Sequence, residues 1–166
     1  RDGTRDGPQG ESQRDRGDIE IRATLERQVV AGLKDRIGRH QPAGTADHGG
    51  AQGPEWFDAG VKLALESLQD PAAHLVVHCH MGINRGPSMA LALLLAQGRD
   101  VIEALDAIRA ARPLAAVIYA PDALAWWHAR RGTPGETAAD IARVRAWFDR
   151  QDISLSTVAR LIRAVR

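Results

Sequence analysis

Cys79 is the only cysteine in a chain of 166 residues, and Arg85 follows it at the spacing Cys-x5-Arg. Gly82 lies within the intervening stretch, and Gly86-Pro87 directly after the arginine opens a strongly apolar segment. A five-residue loop that ends at a helix N-terminus can turn successive backbone N–H groups inward as an anion-binding nest. The helix start adds its own N–H groups and the positive end of its dipole. Gly82 supplies a position able to adopt φ > 0, so that an oxyanion can approach the backbone. Arg85 can offer a planar, permanently charged fork to two oxygens of one phosphate. The same positive field favours the thiolate of Cys79. An anion cradle with a nucleophile at its base points to attack on phosphorus through a covalent phosphocysteine.

Such a loop must be held by the elements on either side of it. The short apolar run Leu75, Val76, Val77 stops at His78-Cys79 and reads as a strand, and residues 87–97 read as a helix that is apolar all round and therefore buried. Strand, tight loop and helix together place Cys79 at the ligand-binding edge of an α/β sheet. Upstream, Ile19, Ile21, Ala23 and Leu25 alternate with polar residues as in a half-buried strand, and Val29, Val30, Leu33 and Ile37 follow at helical spacing. Residues 39–53 are turn-rich, and Pro54 suits the first position of a helix that carries Phe57, Val61, Leu65 and Leu68 on one face. Downstream, Asp100 with Glu103 forms a capping-box-like start for a helix over Val101–Arg112, which Pro113 stops. Ala115–Tyr119 is an apolar run of undetermined type. Further helices are expected over Pro121–Arg130, from Thr133-Pro134 to about Phe148, and over roughly 156–165. Trp126 and Trp127 are adjacent, about 100° apart on a helix, so one enters the core and the other partly covers a surface.

The motif His78-Cys79-x5-Arg85, with Gly82 inside it, resembles the signature loop of the cysteine-dependent protein phosphatases. Arg85-Gly86-Pro87-Ser88 resembles the dual-specificity branch of that superfamily. Rhodaneses use a loop one residue shorter, and the low-molecular-weight phosphatases carry the motif near the N-terminus. The resemblance implies an α/β fold with a small central, mostly parallel sheet flanked by helices. The expected organisation is a disordered lead-in at 1–17, a catalytic domain at 18–130 and a helical C-terminal extension at 131–166. The N-terminal part is too short and polar to supply the usual opening strands in full, so a truncated sheet is expected. The backbone N–H groups of His80, Met81, Gly82, Ile83 and Asn84, with Arg85, would hold the phosphate oxygens. His78 would orient the loop through hydrogen bonds. Gly86 stands where the family usually carries Ser or Thr, whose hydroxyl helps the thiolate leave, so Ser88 or water would have to compensate. The resemblance implies no metal and no organic cofactor. It implies a phosphorylated protein or a small phosphomonoester as partner; Asn84 is also seen in relatives acting on RNA 5′-phosphates.

A phosphocysteine mechanism normally uses a general acid, and position prunes the aspartates. Asp70 lies several extended residues before Cys79, and Asp100 lies beyond the far end of the loop helix. Asp58 and Asp122 sit in the opening turns of helices, where they support the dipole. Asp47 remains, in the turn-rich loop ahead of Pro54 and close to the spacing from Cys79 that the resemblance implies; the other reading is a turn aspartate, and His48 is a second candidate. The run His78-Cys79-His80 invites zinc, but consecutive residues of an extended segment cannot all face one ion.

Composition narrows the remaining classes. Net charge is +1, which gives no bulk attraction to nucleic acid, and an arginine excess near the C-terminus (Arg130 to Arg166 against Glu136, Asp140, Asp149 and Asp152) reads as a solvated helix face. Lys34 and Lys62 are the only lysines, a bias of GC-rich coding that fits a bacterial origin. A single cysteine suits a reducing compartment, no stretch reaches membrane-spanning length, and a cytoplasmic protein is expected. Nothing in the sequence sets the oligomeric state.

Overall fold

A computed structural model of the chain describes residues 51–71, 73–79 and 81–151, and these form a helical assembly. In chain order the helices are α1 (Pro54–Ser67), α2 (Arg85–Ala96), α3 (Val101–Ala111), α4 (Ala120–Arg131) and α5 (Thr137–Asp149), with a single 3₁₀ turn at Pro134–Glu136 leading into α5.

The centre is α2. Its sequence lacks an amphipathic stripe, and nine of its twelve residues, Gly86–Met89 and Leu91–Leu95, are buried. A helix apolar all round finds a place only where neighbours cover every side. Here α1, α3 and α4 all pack on it. Each amphipathic neighbour contributes one stripe: Phe57, Val61 and Ala64 from α1, Val101, Ala104, Leu105 and Ile108 from α3, Ala123, Leu124 and Trp126 from α4. α5 joins the same core through Val144 and Trp147, and the Trp147 indole N–H donates to Asp106 of α3 at 2.7 Å. Fully burying one leucine such as Leu91 or Leu94 contributes about 1.5–3 kcal/mol.

The helix boundaries follow local chemistry. Pro54 occupies the first turn of α1 as expected, after Gly53 in extended conformation. The Asp100 side chain caps α3 by accepting from the N–H groups of Ile102 and Glu103 at 2.9 and 3.4 Å. Gly132 ends α4 at φ +73°, in the left-handed conformation that closes helix C-termini without a side-chain clash. Trp126 is core and Trp127 partly buried, as the helical offset requires.

The expected central sheet is corrected. Among the described residues there is no strand, and Leu75–Val77 are half-buried and without regular secondary structure. A strand exists through hydrogen bonds to a neighbour, and a short apolar run bounded by turn residues carries the same periodicity signal whether or not that neighbour is present. Leu75 and Val77 instead lie against the helical core. The expected strand Ile19–Leu25, the helix through Ile37, residues 39–50 with Asp47 and His48, His80, and the terminal helix at 156–165 lie outside the described residues.

Candidate active site

Cys79 lies just after Leu75–Val77 as a half-buried free thiol, and Arg85 begins α2 six residues later, its Nε buried. The peptides between them are turned by contacts on their outer side. Arg112, at the C-terminus of α3, donates from Nη2 to the carbonyl of Met81 and from Nε to the carbonyl of Gly82, both at 3.2 Å. The N–H of Ala116 donates to the carbonyl of Ile83 at 2.8 Å. Three successive carbonyls thus point outward. In a planar trans peptide the N–H lies opposite the carbonyl, so the N–H groups of Ile83 and Asn84 turn toward the inner side of the loop, while that of Gly82 is taken up within it. Gly82 sits at φ +63°, the alternation of hand that makes a nest concave. Its N–H also closes a turn on the carbonyl of Cys79 at 3.3 Å.

The rim is fixed from below by Asn84. This N-cap residue is buried, and its Oδ1 accepts the N–H of Ile118 at 2.8 Å and the hydroxyl of Ser88 at 3.4 Å. Its carbonyl accepts the Ser88 N–H at 2.8 Å, starting the helical ladder. A supporting segment, Arg112–Ile118, therefore runs along the loop. It is held in turn by Arg109, whose Nη1 donates to the carbonyl of Ala115 at 3.1 Å. Within it Val117 is buried at φ +47°, a conformation that costs a β-branched residue about 1–3 kcal/mol.

Gly86 is explained by packing. A carbon added at its Cα would lie 2.9 Å from the carbonyl carbon of His78 and 3.0 Å from the backbone nitrogen of Cys79. The start of α2 thus rests directly on the His78–Cys79 peptide, and no side chain fits between them. The Ser88 hydroxyl, the other candidate for assisting the thiolate, is fully buried and bonded to Asn84. His78 is exposed at the start of the loop, and Met81, Gly82 and Ile83 are half-buried.

Asp58 and Asp122 have roles different from dipole support alone. Asp58 accepts from the Trp126 indole N–H and from Arg130, each at 2.9 Å, joining α1 to α4. Asp122 accepts the N–H of Gln52 at 2.9 Å, which brings the chain ahead of α1 to the N-terminal end of α4. The residues that sequence reasoning missed are Arg112, Arg109, Ala116 and Ile118. The only sequence signal was a pair of arginines in the last turn of a helix, which reads as complementing the dipole. Among the described residues no group of three or more His, Cys, Asp or Glu is gathered as a metal site, and no described helix is long and apolar enough to cross a membrane. No protein-family model, curated protein or solved structure matches the chain. The chemistry must be argued from the loop itself.

Proposed function

We propose that the chain is a cysteine-dependent phosphatase of the dual-specificity type, acting on phosphomonoesters. The observation that carries this reading is the row of outward carbonyls at Met81, Gly82 and Ile83, which leaves N–H groups facing inward between a thiol and an arginine. In the first step the Cys79 thiolate attacks phosphorus and the bond from phosphorus to the leaving oxygen breaks, while Asp47 gives that oxygen a proton. In the second, water attacks phosphorus, the P–S bond breaks, and Asp47 takes the proton of the water. Gln52 is bound at the end of α4 from which Ile118 reaches Asn84, and five residues of chain span up to roughly 17 Å, which supports Asp47 reaching the loop. A thiol nucleophile works in a reducing compartment, and we assign the protein to the cytoplasm. Phosphorylated proteins and small phosphomonoesters, RNA 5′-phosphates included, are the candidate substrates.

One observation favours a second reading, a phosphate-binding pseudophosphatase. Gly86 offers no hydroxyl to the departing thiolate, and Ser88 is committed to Asn84. Both readings are tested by steady-state hydrolysis of an aryl phosphate at mildly acidic pH. The phosphatase requires turnover that vanishes in Cys79→Ser and falls ~10²-fold in Asp47→Asn. A stoichiometric burst without turnover supports the second reading. A wild type that neither turns over nor binds tungstate sinks both.

A further inference from the structure

Arg112 belongs to a different helix from the loop, thirty residues away in sequence, yet it makes the loop's two outermost contacts. Its side chain is exposed, so the core does not depend on it for packing. It sits at the C-cap of α3, where Pro113 ends the helix, and its own carbonyl accepts the N–H of Ala115 in a turn at 2.9 Å. Backbone and side chain of one residue therefore join α3, the supporting segment and the loop.

Resting on the reading of the loop as an anion cradle, we propose that Arg112 is a positioning residue that preorganises the cradle by holding the Met81 and Gly82 carbonyls outward. The physical need is specific to this loop. A peptide beside glycine reverses easily, because glycine occupies positive and negative φ with similar ease. If the Gly82–Ile83 peptide turned over, it would present a carbonyl oxygen to the bound anion in place of the Ile83 N–H, and reversal of the Met81–Gly82 peptide would break the turn that the Gly82 N–H closes on the Cys79 carbonyl. Arg112 opposes that reversal with two charge-assisted bonds from one planar fork, Nε to one carbonyl and Nη2 to the next. The guanidinium lies 3.5 Å from where a Cβ on Gly82 would be, so it covers the outer face of the peptide it holds. The guanidinium also draws electron density toward the carbonyl oxygens and strengthens the opposite N–H groups as donors. Without it, only the fraction of molecules with the peptide correctly turned binds, and apparent affinity falls by that fraction.

The test is tungstate affinity by calorimetry on the full chain, with urea unfolding of each variant alongside. Arg112→Met keeps the stem and removes the fork; tungstate affinity falls about tenfold or more while the unfolding midpoint stays near wild type. Arg112→Lys, a point charge that cannot reach both carbonyls in one plane, recovers less than half of that loss in free energy. Wild-type affinity in Arg112→Met overturns the proposal. So does full recovery in Arg112→Lys, which would make charge alone sufficient, and so does a loss of affinity matched by a parallel loss of stability. Arg85→Ala tests the cradle reading separately: if it binds tungstate as wild type does, or if wild type binds none, the cradle itself is wrong. If Arg85→Ala loses binding and Arg112→Met does not, only the role of Arg112 fails.

Discussion

The two ends of α4 carry polar clusters of opposite character. In its last turn, His128 is almost wholly buried between the Thr133 hydroxyl, 2.9 Å from Nδ1, and Asp140, 3.0 Å from Nε2. The other oxygen of Asp140 accepts from Arg143 at 2.7 Å, and Arg143 reaches on to Asp100, the cap of α3, at 2.6 Å. The bonds run in one line from Thr133 through His128, Asp140 and Arg143 to Asp100, and so tie α4, α5 and the start of α3 together. Ahead of the N-terminus of α4, Ile118, Ala116 and Arg112 also satisfy carbonyls and a side-chain oxygen, but all on one side of the loop. The bonds there fix which way the peptides of the loop turn. The first cluster fastens helices to one another, whereas the second sets the orientation of a loop. Polar density alone does not distinguish them.

The sharpest way to break this comparison is Gly86→Ala. The added carbon meets the His78 and Cys79 backbone at 2.9–3.0 Å, so the His78–Cys79 peptide must move. Overpacking of this kind costs about 1–3 kcal/mol, and tungstate binding should be lost with it. A variant that binds tungstate normally would show that the position of that peptide does not matter to the cradle. Serine at the same position is expected to behave like alanine, because steric conflict precedes any gain from a hydroxyl.

His128→Ala should give the reverse pattern. It removes a fully buried ring and two hydrogen bonds, and the expected loss in urea unfolding is about 2–4 kcal/mol. Tungstate affinity measured below the unfolding transition should be unchanged. Weakened affinity there would couple the two ends of α4 and undo the contrast.

Asp100→Asn has the smallest expected effect and sharpens the account of the cluster around His128 and Arg143. Burial works against ionisation of Asp100, but the hydrogen bond from Arg143, the N–H of Ile102 and the Arg143 charge outweigh it and hold the carboxyl below its ordinary 3.8. A lowered folded-state value means stabilisation present above the ordinary value and lost as pH falls through the lowered one. Asparagine still caps the helix, so the variant isolates the charge. Both partners are well exposed, and a difference of roughly 0.5 kcal/mol near neutral pH is expected, the size typical of exposed pairs. Thermal melts of the two proteins should converge only as pH falls through that lowered value, on the acid side of 3.8. A gap that persists in acid would assign the contribution to the cap.

Much of the helical framework was legible in the sequence. Pro54 with Phe57 and Val61, the Asp100 cap and the unbroken apolar run of α2 are signals that local sterics and one-residue hydrogen bonding settle on the spot. Leu75–Val77 misled for the complementary reason, since a strand is a relation between segments and the described residues form none with it. Asp58 misled in the same way. Its position in α1 suggested the dipole, while its partners, Trp126 and Arg130, come from a helix whose approach no local pattern reveals.

The loop divides along this line. The sequence by itself determined that a thiol, a glycine and an arginine share one short turn before a helix, because that chemistry is a matter of residue type and spacing. Only the tertiary structure decided which way the peptides of that turn face. That depends on Arg112, Ala116 and Ile118 arriving from α3 and the segment after it, and on Gly86 letting α2 settle against the Cys79 backbone. Short-range preferences fix what a segment is; the direction in which its polar groups point is fixed by whichever distant partners the packed core brings beside it.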